Sequence, residues 1–330
     1  MLVLGIETSC DDTSAAVVAD GRRLLSNVFA SQVEIHRAFG GVVPELASRS
    51  HLEKLPATVD AALEKAGITL AQVDAVAVTY GPGLVGALLV GLMAGKGLAA
   101  SLGKPLIGVN HLQAHLAACM VADPTLAPPF LGLVVSGGHT ALVRVESVQS
   151  FRLIGQTRDD AAGEVLDKVG RLMGLPFPAG KYIEEEARAG DAARVKMPHS
   201  KMGDALEFSF SGLKTAVSQL VRAGKNERPD LCAALQGAIV DALASKAELA
   251  LKETGLPVLA LAGGVAANGP LRERLAQVAA ACGARFVVPS MLLCTDNAGM
   301  VAALGGLKLA AGETSAWDLG PQPSLSLETN

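Results

Sequence analysis

The sequence predicts an α/β protein of two similar lobes, and three observations carry that prediction. One pattern occurs twice: residues 2–18 read LVLGIETSCDDTSAAVV and residues 131–145 read LGLVVSGGHTALVRV. Each is an apolar run, a short polar turn and a second apolar run, as in a buried hairpin. Half of the residues are hydrophobic, 18% are charged and only 3% are aromatic. The core is therefore built from Ala, Val and Leu, as in sheets covered on both faces. Finally, strand-like and helical stretches alternate along the 330 residues. That alternation implies mostly parallel sheets joined by helical crossovers, and the length suffices for two domains.

Taken in order, apolar runs predict strands at 2–6, 14–18 and 24–30, then a polar connection and a helix near 46–66. A strand at 74–79, a helix at 84–102, a strand at 105–109 and a helix at 111–121 follow. Residues 75–95 form an uncharged stretch of bilayer-spanning length. Gly81-Pro82-Gly83 interrupts it, so it reads as strand, turn and buried helix, with no membrane span. Asp123-Pro124 and Pro128-Pro129 mark a linker before strands 131–135, 141–145 and 150–155. Helices are expected near 159–173, 180–189, 211–222 and 230–254. A strand at 257–262, a helix at 269–282, a strand at 285–288 and a helix at 296–311 complete the chain. The lobes are expected to divide as 1–109 and 110–310, with 311–330 packing back on the first. The polar, weakly periodic stretch 190–211 is expected to be a mobile flap.

A net charge of −4 offers no global attraction to nucleic acid, so a polyanion must be held by a local patch or a helper protein. Five scattered cysteines, with no C-x-x-C pair, argue for reduced thiols in a cytosolic protein. The N-terminus runs into a strand bearing Glu7, Asp11 and Asp12, without the basic start of a signal peptide. A cytoplasmic location is expected.

Several groupings carry chemistry. His111 and His115 are four apart in a helical segment that follows a strand, so they share a face and can clasp one cation. The other reading is two histidines satisfied by carboxylates or backbone. Asp296, opening a later helix, would complete a two-imidazole, one-carboxylate set suited to Fe(II) or a catalytic Zn. No Glu follows His111, which discriminates against a zinc peptidase. The hairpin turns carry Glu7, Thr8, Ser9, Asp11, Asp12 and Thr13, and Ser136, Gly137, Gly138, His139 and Thr140, where amides and hydroxyls can surround a phosphate or acyl group. Gly263 and Gly264 permit close backbone approach ahead of a helix N-terminus, and Asn268 can bond a ribose or base. No Walker-type GxxxxGK[ST] occurs. Asp160, Glu164 and Asp167 form a helical stripe, read either as a solvated face or, at Asp167, as a ligand contact. The run GGVVPELASRSH at 40–51 reads equally as a binding loop or a capped helix start.

In order along nearly the whole chain, IETSCDDTS, GGVVPELASRSH, GPGLVGALLVG, NHLQAH, VSGGHT, DDAAGEVLDKV, FSFSGLKTA, LAGGVAANGPLR and CTDNAGM resemble the tRNA adenosine threonylcarbamoyltransferase family, formerly labelled O-sialoglycoprotein endopeptidase. The resemblance implies a two-lobed actin/hexokinase/Hsp70-like ATPase fold, each lobe a ribonuclease-H-like mixed sheet. It implies transfer of threonylcarbamoyl from an acyl-adenylate to the exocyclic amine of the adenosine 3′ to the anticodon. The family's metal ligands fall on His111, His115 and Asp296, with one Fe(2+) per subunit expected and Zn as runner-up. Its substrate contacts fall on Val134, Val135, Ser136, Gly137, Gly138, Asp167, Gly180, Glu184 and Asn268. Ser9, Thr13, His139, Thr140, Gly263 and Gly264 are expected near an adenine nucleotide in the cleft, and Asp11 is the candidate to orient or deprotonate the amine. The chain departs from the pattern at Ala179, Lys181, Glu184, Asp12 and Gly299, which puts the loop around Gly180 in most doubt.

Expected partners are tRNA, threonylcarbamoyl-AMP from a separate synthase, a paralogous subunit of the same fold and a small P-loop ATPase. Arg144, Lys168, Arg171, Lys196 and Lys201 are candidates for a local RNA-binding set. The apolar helix 84–102 reads as a buried core helix or a docking face. The rival function is an ATP-dependent kinase or ATPase of the same fold, which leaves the two histidines unexplained.

Overall fold

The duplicated hairpins open two sheets of identical topology. In the computed structural model, which describes residues 1–198, 203 and 205–328, the chain forms two compact units. The first comprises Met1–Pro128, Glu146–Arg152 and Pro289–Asn330; the second comprises Pro129–Val145 and Leu153–Val288.

In the first unit, β1 (Leu2–Glu7), β2 (Thr13–Ala19), β3 (Arg23–Ala30), β4 (Ala75–Gly81) and β5 (Leu106–Asn110) lie in the order β3-β2-β1-β4-β5. In the second, β6 (Phe130–Val135), β7 (Thr140–Val145), β8 (Phe151–Gln156), β9 (Val258–Ala262) and β10 (Arg285–Val287) repeat it as β8-β7-β6-β9-β10. The sheets are mixed rather than mostly parallel. Tight turns force β1 and β2, β2 and β3, and β6 and β7 to run antiparallel. Only helical crossovers make β1–β4, β4–β5, β6–β9 and β9–β10 parallel.

The unit boundary differs from the one expected at 109/110. Helices His111–Ala122 and Ala298–Ala310 belong to the first unit. They pack on each other, and Ala298–Ala310 also covers β1 and β2. Their residues are apolar on nearly every face, and only a fully buried position satisfies such helices. Gly5 permits the approach: a Cβ there would collide with the Ala298 carbonyl and lie 2.7 Å from the Ala302 amide nitrogen. The segment after 310 does return along the same sheet. Ser315 Oγ accepts from Gly108 N–H at 2.8 Å, Tyr80 C=O accepts from Gln322 N–H at 2.7 Å, and Asn110 Nδ2 donates to Ser326 C=O at 2.7 Å.

Helix Val85–Leu102 is the one described helix long and apolar enough to cross a membrane by length and composition. It lies instead against β4 and helix Pro44–Ala66. Leu88, Leu92 and Ala99 are buried, whereas Val85, Leu89 and Met93 are exposed on another face. Two short helices, Val33–Arg37 and Met291–Cys294, are too brief for periodicity to announce. The stretch 190–211 is anchored at its described ends. Asp191 N–H donates to Asp230 Oδ1 at 2.7 Å, and the buried rings of Phe208 and Phe210 stack at 6.0 Å. Its middle, residues 199–202 and 204, lies outside the described residues, as does the candidate RNA contact Lys201.

Candidate metal centre and ligand turns

β5 ends at Asn110, whose side chain caps the next helix by accepting from the amides of Leu112 and Gln113. The helix therefore starts at His111, and His111 and His115 stand one turn apart on its inner face. Asp296 arrives from the loop before helix Ala298–Ala310. That loop is pinned by Asn297, which caps the helix at Met300 N–H, and by Ser14 Oγ, which accepts from Ala298 N–H at 2.9 Å. The ligand atoms of the three residues lie within 4.8 Å of one another. Asp296 Oδ1 is 3.5 Å from His111 Nε2 and 3.3 Å from His115 Nε2.

The donor set fits a cation. His115 is fully buried, and neither of its ring nitrogens has a hydrogen-bond partner. Its Nε2 is near Asp296 in distance but not in hydrogen-bond direction, as expected of two ligands facing a shared ion. Two imidazoles and a carboxylate leave coordination positions open for substrate.

Sequence reasoning placed Glu7 among the turn's ligand groups and missed that it orients this centre. Glu7, at the end of β1, is fully buried and accepts from Ser9 N–H at 2.6 Å and from Thr79 Oγ–H at 2.7 Å. Its Oε2 lies 3.0 Å from His111 Nδ1, so His111 presents Nδ1–H to Glu7 and Nε2 to the cluster. Burial alone would push the Glu7 carboxyl up; the His111 imidazole beside it and the Ser9 amide hold it below its ordinary range. Burial opposes charge on His111 as well, but Asp296 and Glu7 on either side raise it well above an ordinary imidazole. Asp296 is likewise held low by both imidazoles against the effect of burial. Burial keeps His115 low. A cation on His111 Nε2 would therefore compete with a proton for that nitrogen. Glu7→Gln is expected to lower metal affinity about 10–100-fold, measured by competition with a chromogenic chelator. The signal that could have revealed that role is an acid at the inner end of an otherwise apolar strand.

The first hairpin turn is clamped over this centre by its neighbours. Thr8 Oγ–H donates to Ala87 C=O at 2.8 Å, Leu84 N–H donates to Ser9 C=O at 2.8 Å, and Ser9 Oγ lies 3.1 Å from His111 Nδ1. Burial and the carboxylates of Asp11, Asp296 and Asp12 push the Cys10 thiol well up. Thr13 is buried with its hydroxyl on His51 Nδ1 at 2.8 Å.

Asp12 is pushed up to about 6, first by burial and then by Asp11 and Asp296, and its Oδ1 has no hydrogen-bond partner. Relative to the ordinary value of 3.8, the folded state keeps this proton at pH values where the unfolded chain has released it. Stability of the metal-free protein should therefore fall as pH rises from about 4 to about 6 and stay reduced above, by up to about 3 kcal/mol at 1.36 kcal/mol per unit. Melting curves of wild type and Asp12→Asn at pH 4.5 and 7.5 test this: the variant's stability relative to wild type should be about 2 kcal/mol greater at the higher pH.

In the second unit, the ends of β6 and β9 bring the other predicted residues together. Gly263 has φ +92°, and a Cβ there would collide with the Val135 carbonyl, so only glycine lets the two turns abut. Val134 and Val135 are buried strand residues that can offer only backbone to a ligand. Gly137 and Gly138 are exposed, with open space where a Cβ would stand. Ser136 Oγ accepts from His139 N–H at 3.1 Å, and the buried Thr140 hydroxyl accepts from Ala162 N–H at 3.0 Å, tying the turn to helix Ala162–Leu172. Asp167 accepts from Ala179 N–H at 2.7 Å and so sets the start of helix Gly180–Ala187. Glu184 Oε2 accepts from Asn268 Nδ2 at 3.1 Å and from Gly269 N–H at 3.3 Å. Asn268 Nδ2 also donates to Gln236 at 2.8 Å, a contact with no announcing motif. Asp160 is bound by Lys168 and Lys214, so part of the acidic stripe is a salt-bridged face. A cavity of about 560 Å³ lies against helix Arg228–Thr254, lined by Lys196, Phe208 and Lys246 among others. None of the predicted ligand residues lines it.

Solved structures with the same fold include HypF from T. kodakarensis (TM-score 0.65, 15% identity, covering 94% of this chain and 48% of that one). The Acidaminococcus fermentans (R)-2-hydroxyglutaryl-CoA dehydratase component A matches at TM-score 0.57 and 14% identity, over 94% and 99% of the two chains. A ROK hexokinase from Thermus thermophilus matches at 0.51 and 16%, again over 94% and 99%. Fold and site together define an actin/hexokinase-like α/β protein with two buried imidazoles and one carboxylate arranged so that they could hold a cation. The family model for tRNA N6-adenosine threonylcarbamoyltransferase matches residues 23–303. Proteins of that description are 49% identical in Clostridium perfringens (99% of this chain, 98% of that one) and 52% identical in Anaeromyxobacter dehalogenans (98% and 99%). The chain belongs to the tRNA N6-adenosine threonylcarbamoyltransferase family and is a transferase that modifies tRNA.

Proposed function

We propose that the chain transfers L-threonylcarbamoyl from threonylcarbamoyl-AMP to the exocyclic N6 amine of the adenosine 3′ to the anticodon, in tRNAs reading codons that begin with A. The observation that supports this most is the buried convergence of His111, His115 and Asp296 within a chain whose whole length matches the family. His111, His115 and Asp296 would hold Fe(II), or Zn as runner-up. Bound there, the cation would supply Lewis-acid polarisation of the threonylcarbamoyl group. Glu7 fixes the His111 ring for that task. The amine nitrogen bonds to the carbamoyl carbon, the carbon–oxygen bond to the phosphate breaks, and AMP leaves with the bonding pair. Asp11 takes the amine proton. The exposed amides of Gly137 and Gly138, with Gly263, Gly264 and Asn268, would hold the adenylate, and Asp167, Gly180 and Glu184 would border it.

The chain carries nothing that makes the adenylate, so a separate synthase is expected to supply it. A paralogous subunit and a small P-loop ATPase are the expected partners in a cytoplasmic assembly. Incubating the protein and its partners with synthetic threonylcarbamoyl-AMP and unmodified tRNA, without ATP, tests the reading. A nucleoside heavier by one threonylcarbamoyl group supports it. Mg–ATP turnover without tRNA, and no modified nucleoside, would favour a kinase or ATPase instead.

A further inference from the structure

The run GGVVPELASRSH finds no place in the chemistry above, yet its Val43, Ala47 and His51 enter a buried chain of hydrogen bonds. Pro44 opens helix Pro44–Ala66, with its fixed φ suited to the first turn. The preceding Val43 N–H donates to His36 Nδ1 at 3.3 Å. His36 must then carry its proton on Nε2, which meets Gln32 Oε1 at 3.3 Å. The same amide's Nε2 donates to Ala47 C=O at 3.3 Å and lies 3.3 Å from His51 Nδ1, whose single lone pair takes the shorter bond from Thr13 Oγ–H at 2.8 Å. His51 therefore carries its proton on Nε2 and donates it to Cys10 C=O at 3.0 Å. Every side chain in the sequence His36, Gln32, His51 and Thr13 is at 0% exposure. Both rings are neutral in this arrangement, and burial holds His51 low, in keeping with it. These contacts converge on His51, whose Nε2–H ends on the peptide that joins Cys10 to Asp11.

We infer that this chain is a positioning device for Asp11: His51, itself oriented by Thr13, Gln32 and His36, holds the Cys10 carbonyl and so aims the following carboxylate. The inference rests on the assignment of Asp11 as the group that receives the amine proton. A reacting group displaced by about 1 Å can cost about 10²-fold in rate, and the His51 bond adds to those that clamp Thr8 and Ser9 a hold on the peptide next to Asp11. His51 touches no predicted ligand and acts only through the peptide it holds.

The test uses the full chain with its partners, synthetic threonylcarbamoyl-AMP and unmodified tRNA. His51→Phe should lower kcat about 10–100-fold, leaving KM for the adenylate within about 3-fold and metal content unchanged. His51→Gln keeps a donor for the Cys10 carbonyl and should recover most of the rate. Combining His51→Phe with Asp11→Asn gives the decisive reading. If His51 acts through Asp11, the double variant is no slower than Asp11→Asn alone. Multiplying losses, with Asp11→Asn itself impaired, overturn the inference and leave the Asp11 assignment standing. Full activity of Asp11→Asn overturns that assignment and the inference with it. Should His51→Phe fail to fold, nitrogen-15 spectra of histidine-labelled wild type decide. Nε2–H tautomers at neutral pH for both His36 and His51 support the chain, and a proton on Nδ1 of either ring overturns it.

Discussion

His111→Ala is expected to lose the bound cation and, with it, transfer activity. One of three protein donors disappears, and the two that remain, His115 and Asp296, no longer enclose an ion. The loss should exceed the 10–100-fold expected for Glu7→Gln, because that variant disturbs only the partner that orients the ring. Several kcal/mol of stabilisation at the reacting carbonyl would go, about 10³-fold in rate or more at 1.36 kcal/mol per decade. Elemental analysis after anaerobic purification should find one cation per chain in the wild type and far less in the variant. Unchanged metal content would refute the assignment. The substitution also strips Glu7 of a partner at full burial, leaving only Ser9 N–H and Thr79 Oγ–H on that carboxylate. A buried carboxylate that loses a partner is destabilising, so His115→Ala belongs beside it. That ring is fully buried and stands 3.3 Å from Asp296, so its variant should lose metal along with some stability, while leaving the Glu7–His111 contact in place.

The second large effect is at Asp11. Asp11→Asn keeps the size of the side chain and removes its capacity to take a proton. A positioned base contributes about 10²–10⁴-fold, so single-turnover transfer should slow by that factor. Metal content should stay at the wild-type level, because Asp11 is outside the donor set. Loss of rate without loss of metal separates this role from that of His111. Full single-turnover transfer by Asp11→Asn would show that another group receives the amine proton.

Much of this was readable from residue order. The two hairpins stand out because apolar runs flank short polar turns, and they open the two sheets as expected. His111 and His115 were legible because spacing of four on a helix is a local property. Asp296 joined them through the family resemblance and the turn ahead of its helix. Glu7 was legible as a turn residue, but its role was not, since that arises from Thr79 and His111, distant positions that only the sheet order brings to it. His51 was read as part of a loop or a cap for the same reason. Its ligand is the backbone carbonyl of Cys10, and a backbone partner leaves no mark in composition. The unit boundary was misplaced because helices His111–Ala122 and Ala298–Ala310 choose their sheet by packing area, a quantity that chain order does not encode. Glycine carries that choice at Gly5, where any side chain would meet the backbone of the covering helix.

The most direct measurement is the rate of threonylcarbamoyl transfer from synthetic adenylate to unmodified tRNA before chelation, after it, and after adding back Fe(II) or Zn. Activity that vanishes with the metal, returns with it in the wild type, and does not return in His111→Ala is the expected result. Transfer at an undiminished rate by the fully chelated protein would contradict the account.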